Sequence, residues 1–575
     1  MLKRFLLLII ASSFLLGVNA QSSSSVYLAN YIKVWGFVKY YHPSVGGGRI
    51  DADSLFLHYV KKVREVKNSG SYGRILLEMQ EQLGSVASST VKDTTRLFTK
   101  NDRTAWITSD KLLPAKVKQA LWQLRNEGYT DSVHRYMPAT PFATDVPAEK
   151  KYEDVTFPNV DYQLLALARY WNAVEYLFAY KYMITKNWNK ILSEEVAAFA
   201  QPMIQTRFEQ HLLRLNATIE DTHGGIVAIK QQGEIYGKFF PPFIFSFAGD
   251  SIVVTGYIDS VSCREQDIRV GDVIIGIRGE SVAKALSRVE NYVSASNMHK
   301  KKSLLVNLPL LQPLRGNDSL IKIRVLRDRQ IFTRQLVLQR TIRTEFVNKL
   351  NQLFQQQTGN GTTTQNSFVM RAIDKDVVQV DAANLSILYN TTADDREIDS
   401  VMKEMVTYKK AIILDLRCYT TQAVFYNKFL SALGWPLKPF AVLHTYYQRF
   451  PGKYKLHDIF SPVVQPPLAP RYTGKVILLV NERTQSQSEL ITMVIQASGP
   501  ALVVGTQTAG CDGDMLYMPV PGGYTLSFSG RHVAYPDGTA SQKAGVKRNV
   551  KLNYTVKGLA AGKDELLEAA IRLAK

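Results

Sequence analysis

Three short apolar runs in the last third of the chain constrain the fold most: residues 411–414, 476–480 and 501–504. Each is four or five apolar residues without polar alternation, which suits a strand buried on both faces. The segments between them are long enough for helices, so the runs predict a partly parallel sheet covered on both sides. A helix is expected over 489–496, with Ser488 as its cap and acidic Glu489 in its first turn. A further strand is expected over 524–528, after the turn Pro521-Gly522-Gly523.

The rest of the 575 residues reads differently. Residues 29–87 look helical, with Tyr31, Val34, Trp35, Val38 and Tyr41 at helical spacing. A second helical array starts near Asp161. The two share an echo: Trp35-Gly36-Phe37-Val38-Lys39-Tyr40 resembles Trp171-Asn172-Ala173-Val174-Glu175-Tyr176, 136 residues later. This suggests a degenerate duplication of a small helical unit. A β-domain of about 100 residues follows, with strands expected over 252–254, 273–277, 303–306 and 321–325. Residues 351–365, rich in Gln, Thr, Asn and Gly, read as a loop or linker.

The first twenty residues have the three parts of an export signal: basic Lys3 and Arg4, an apolar stretch from Phe5 to Leu16, and small Val18 and Ala20 before an expected cut at Gln21. A periplasmic or secreted location is therefore expected, and no transmembrane span is expected after cleavage. Nicotinamide or ATP chemistry fits poorly outside the cell. Three cysteines exclude a disulfide-stapled array and a four-cysteine zinc or iron–sulfur site. The net charge of +20 raises nucleic acid, anionic membranes or acidic polymers as partners, but the basic residues are scattered and no specific nucleic-acid motif is present.

Ser486 lies in the polar turn between the 476–480 strand and the following helix. Such a turn can hold a hydroxyl where the N–H groups of a helix start meet developing negative charge, although a serine there is ordinarily a cap or turn residue. The surrounding pattern resembles the C-terminal processing (tail-specific) serine peptidases, a family that includes the tricorn protease core. Ser486 and Glu489 match its Ser-x-x-Glu. Ala501-Leu502-Val503-Val504-Gly505 with Thr508 and Gly510 match its next strand and loop. Asp415-Leu416-Arg417, Pro536-Asp537-Gly538 and Gly545-Val546 match further signatures. Gly271-Asp272, Ile274 and Gly279 resemble the PDZ domain that many members carry.

The resemblance implies a multidomain α+β protein: a signal peptide at 1–20, an N-terminal helical domain at 21–150, a helical part of the peptidase core at 151–230, a PDZ-like domain at 235–345, a linker at 346–370, and an α/β catalytic core of the ClpP/crotonase-like type at 371–575. It implies Ser486 as nucleophile and, on the tricorn-like branch, His223 as general base. Gln542 falls where the family has the glutamate that orients the histidine. Gln487, Cys418, Tyr419 and Cys511 fall on the oxyanion and cleft loops, and Glu489, Asp415 and Arg417 are expected to be structural. Cys511 occupies the place of the family's general-base lysine, so a Ser–Lys dyad of the usual form is absent. For Cys418 and Cys511 a disulfide, a nucleophilic Cys511 and two inert thiols all remain open. No metal or cofactor is implied. The expected partner is a polypeptide substrate or a peptide C-terminus, cleaved through an acyl-enzyme. The alternative is a catalytically impaired relative that binds peptides or another cell-envelope ligand.

Overall fold

The computed structural model describes residues 24–86, 95–146, 148–307, 310–340, 368–391, 395–420, 425–457 and 470–575, with residues 348 and 460. The expected export signal and nearly all of the expected linker lie outside the described residues.

The two helical arrays repeat helix for helix. Residues 24–41 correspond to Val160–Leu177, Ala52–Arg64 to Trp188–Phe199, and Ser69–Leu83 to Gln205–Ala217, each pair 136 residues apart at its start. The details repeat too. Trp35 Nε1 donates to the Ala52 carbonyl at 2.8 Å, and Trp171 Nε1 to the Trp188 carbonyl at 3.0 Å, both across 17 residues. Asp51 and Asn187 cap the second helix of each copy through Ser54 N and Lys190 N. Equivalent positions touch across the pair. Gly36 packs on Asn172, and the Tyr40 and Tyr176 rings lie 4.8 Å apart. Self-contact of equivalent positions is the signature of a local two-fold axis.

Six antiparallel strands form the sheet of the β-domain: five in the order Phe243–Ala248, Ser251–Tyr257, Val273–Ile277, Leu320–Arg327, Gln330–Val337, and the short Glu280–Ser281 paired with Val273–Ile277. Ile274 is in its core, Gly271 and Gly279 take the positive φ their turns require, and the Asp272 carboxylate accepts two bonds from Arg327. Residues 303–306 are not the expected strand. They end the helix Met298–Val306, capped by Asn297. A run as short as Leu304-Leu305-Val306 has no periodicity that separates strand from helix, and the helix's start is polar.

The C-terminal sheet has six strands: Met370–Ala372, Val377–Asp381, Ala411–Asp415, Lys475–Val480, Ala501–Gly505 and Val550–Lys551. The first is antiparallel and the rest are parallel. Alternate residues serve opposite faces. Ile412, Leu414, Val476 and Leu478 pack under the helices Arg396–Met405, Tyr426–Ala432 and Gln487–Ser498. Ile413, Ile477 and Leu479 pack under Glu565–Ala574. Burial on both faces explains the unbroken apolar runs.

The expected ClpP/crotonase-type core is corrected by this architecture. The parallel sheet does not carry the cleft alone. A three-stranded antiparallel sheet (Met515–Val520, Tyr524–Ser529, Gly225–Val227) joins the end of the helical array to the core, and its inner residues share one apolar cluster with both helical copies. Among the described residues no helix is long and apolar enough to cross a membrane.

Candidate active site

Ser486 occupies the N-cap position of Gln487–Ser498, with φ 54° and ψ −116°. Its side chain makes no capping bond, so the ordinary use of a serine at this position does not apply. The expected cap, Ser488, lies inside the helix, and its Oγ accepts from Thr420 N at 3.1 Å. Burial pushes the Tyr419 hydroxyl above its usual range, and the neighbouring Ser486 side chain opposes that rise. Tyr419 is 43% exposed, whereas Ser486 is buried at 4%.

Glu489 fixes the loop opposite. Its buried carboxylate accepts from Thr508 Oγ1 at 2.5 Å and from Gly510 N and Cys511 N, both at 2.9 Å. Arg417 grips Asp415 and Asp564, tying the end of Ala411–Asp415 to the C-terminal helix. Both residues act in the framework.

His223 sits in the turn before Gly225–Val227. The turn is held from two sides: Ser294 Oγ donates to the Asp221 carbonyl at 2.6 Å, and Ser527 Oγ to the His223 carbonyl at 2.8 Å. Gly224 allows this approach, since a Cβ there would meet Ser294 Oγ at 2.5 Å. Cys511 joins the two expected catalytic residues. Ser486 N donates to its carbonyl at 2.9 Å, and His223 N to its sulfur at 3.2 Å. The His223 Nδ1 lies 2.9 Å from Ser529 Oγ, while Nε2 is buried without a partner. Burial pushes the imidazole below its usual range. Asp221 opposes that fall and the Lys300 ammonium adds to it.

Gln542 does not touch the ring. Its Nε2 donates to Asp221 Oδ1 at 3.0 Å. Cys511, in the lysine's place, is a free buried thiol whose S–H donates to Asp221 Oδ1 at 3.1 Å. Burial raises it well above the ordinary thiol range, so it cannot take a proton from serine near neutrality. Cys418 is also free, so the two thiols are not bridged. Asp221, His223 and Cys511 bring ligand atoms within 4.8 Å of one another, a set of the kind soft divalent metals use. Both Asp221 oxygens are already engaged by donors, and Nδ1 by Ser529.

These contacts place a serine at a helix N-terminus, an imidazole and a buried carboxylate around one loop. Residues 378–552 match peptidase family S41. No curated protein matches the chain. Among solved structures, mature CPAF in complex with lactacystin is 14% identical over 72% of this chain and 98% of its own, with a TM-score of 0.51. Mature CPAF alone is 14% identical over 72% and 97%, with a TM-score of 0.52. At that identity the likeness carries the fold. It places the S41 region in a CPAF-like architecture instead of the ClpP/crotonase type expected above. The C-terminal region is thus that of a peptidase-family protein related to the C-terminal processing proteases.

Sequence reading missed Ser529 and Lys300. Ser529 ends an ordinary amphipathic strand 306 residues from His223, and nothing local marks it. Lys300 lies in the first turn of Met298–Val306, a helix docked on the same loop through Asn297 Nδ2, which donates to the Thr508 and Ala509 carbonyls at 2.9 and 3.0 Å. The lysine is buried, within electrostatic reach of Cys511 and Glu489, and burial pulls its ammonium down to about 8.

Proposed function

We propose that this protein, in the periplasm or outside the cell, binds an extended polypeptide segment beside a serine-peptidase-type site that is impaired relative to its lysine-dependent relatives. One observation carries the reading. A cavity of about 710 Å³ lies between the β-domain and the core, lined by Ser246–Gly249, by the helix Met298–Val306, and by Asn481, Glu482 and Arg483 in the turn that leads to Ser486. The strand Phe243–Ala248 is the end strand of its sheet, so a peptide can extend that sheet by main-chain pairing. His299, Lys302 and Arg483 line the same space and suit a peptide carboxylate. Impairment is supported by the protonated Cys511 in place of a base and by Gln542, which cannot balance an imidazolium charge.

Fluorescence anisotropy with labelled peptides tests this. Binding is expected, weakened by about 10-fold in Arg483→Glu and on amidation of the peptide C-terminus. Equal affinity for free and amidated ends, with no effect of Arg483→Glu, would remove the carboxylate subsite. Failure to bind any peptide would remove the whole reading.

Hydrolysis by Ser486 is the second reading, favoured by a hydroxyl not spent as a cap and by the unpartnered His223 Nε2. Ser486 Oγ would attack the scissile carbonyl carbon as its proton passes to Nε2. The C–N bond would break as the imidazolium returns that proton to the leaving amine, and water would then release the acyl group by the same route. Labelling of the wild type by a fluorophosphonate, absent in Ser486→Ala, supports it. No labelling and no peptide turnover by the folded protein refutes it.

A further inference from the structure

Asp221 is a fully buried acid with an unusual set of partners. Its Oδ2 accepts from Ser529 N at 2.6 Å. Its Oδ1 accepts from Ser529 Oγ at 2.9 Å, Gln542 Nε2 at 3.0 Å, Cys511 Sγ at 3.1 Å and, at 3.4 Å, His223 N. A carboxylate is acceptor-only when ionised, and these neutral donors satisfy it in that form.

The protons at Ser529 can be counted. The hydroxyl has one hydrogen and three neighbours: Asp221 Oδ1 at 2.9 Å, His223 Nδ1 at 2.9 Å and, more distantly at 3.5 Å, the Cys511 sulfur, whose own hydrogen goes to Asp221 Oδ1 at 3.1 Å. Directing that hydrogen at Nδ1 would leave two acceptor oxygens, of Ser529 and of the ionised Asp221, facing each other in a buried site. Directing it at Asp221 satisfies both contacts, provided that Nδ1 carries a hydrogen and donates to Ser529 Oγ. A neutral ring protonated at Nδ1 has its lone pair at Nε2, the buried atom without a partner.

We propose that Asp221, acting through Ser529, is the positioning carboxylate of His223, holding it as the Nδ1–H tautomer with Nε2 as proton acceptor. The carboxylate has moved. Position 542 holds an amide, and that amide is used to anchor Asp221. Asp221 and Ser529 are positioning residues, because neither reaches Ser486. The inference deepens the hydrolytic reading and takes its chemical purpose from it, yet the tautomer is a property of the resting protein and can be measured without turnover.

The test is nitrogen NMR on the full chain labelled with ¹⁵N-histidine, with the His223 signals assigned by their loss in His223→Gln. The wild type is expected to carry its proton on Nδ1. Ser529→Ala removes the relay hydroxyl but keeps Ser529 N on Asp221, and is expected to lose the Nδ1–H form in favour of Nε2–H. Asp221→Asn is expected to do the same. If Ser486 labels with a fluorophosphonate, both variants should slow labelling, Asp221→Asn by up to about 10⁴-fold, the scale seen when a triad carboxylate is replaced by its amide. A wild-type His223 protonated at Nε2, or a folded Ser529→Ala with an unchanged tautomer, overturns the proposal. Nδ1–H in a protein that never labels supports the relay and refutes the hydrolytic reading. Labelling with an Nε2–H ring does the reverse.

Discussion

The Ser486 N–H donates to the Cys511 carbonyl at 2.9 Å, and the serine that makes this bond has φ 54°. A non-glycine residue in that region is strained by about 1–3 kcal/mol. Ser486→Gly should therefore be neutral or stabilising, by up to about 1 kcal/mol after the entropy glycine adds to the unfolded chain. The same change removes the hydroxyl, so any fluorophosphonate labelling should vanish. Urea unfolding of the two proteins decides the first point. A loss of more than about 1 kcal/mol would mean that the hydroxyl stabilises the fold and is not held there under strain.

Gly36 and Asn172 are packed against each other between the helical copies. A Cβ on Gly36 would lie 1.8 Å from Asn172 Oδ1, and Asn172 Nδ2 donates to the Ile32 and Ala168 carbonyls at 3.0 and 2.9 Å. Gly36→Ala should cost about 1–3 kcal/mol by overpacking. Asn172→Ala should also destabilise, but it empties the space the new methyl needs. The double variant should then be more stable than the sum of the two by about 1 kcal/mol or more in a double-mutant cycle. Strict additivity would show that the copies do not meet at this pair.

Glu489 sets a pH dependence. Burial raises its carboxyl to about 7 in the fold, against 4.5 for the free side chain, and Asp512 rises from 3.8 to about 7 for the same first cause. The folded state holds these protons more tightly than the unfolded chain, so their contribution to stability falls as pH rises from about 4 to about 7 and is level above. Glu489→Gln removes its share of that slope. It also turns an amide N–H toward one of the two donors, Gly510 N or Cys511 N, at a cost of about 1–3 kcal/mol. Urea midpoints at pH 5, 6, 7 and 8 should give a lower, flatter profile for the variant. A steeper one would contradict the buried-carboxyl account.

The parts of the fold written locally were legible. The runs at 411–414, 476–480 and 501–504 lie in strands because a two-faced core demands continuous apolar sequence, and the Trp35/Trp171 echo marked helices that repeat throughout. The site was legible where one segment carries it, as at Ser486. It was not where partners meet through the fold. Asp221 could be seen near His223, but that it serves the ring through Ser529 depends on the pairing of Gly225–Val227 with Tyr524–Ser529, a contact 300 residues long in sequence. Lys300 was hidden for another reason: its helix ends in an apolar run that reads equally well as a strand.

Lys300 is where stability and function should part. Burial pulls its ammonium from 10.5 to about 8, with Glu482 as the first compensating charge. Between those values the unfolded chain holds the proton more tightly than the fold, so the contribution to stability rises with pH from about 8 to about 10.5 and is least favourable below 8. Lys300→Met keeps the length and apolar stem and removes the charge. It should gain about 1–3 kcal/mol at pH 7 and lose that rise in alkaline solution. Because the ammonium also lowers the His223 imidazole, the variant should titrate its ring at higher pH, visible in the same ¹⁵N spectra. A destabilised Lys300→Met with an unmoved ring would mean that the lysine is held by local contacts and exerts no field on the site.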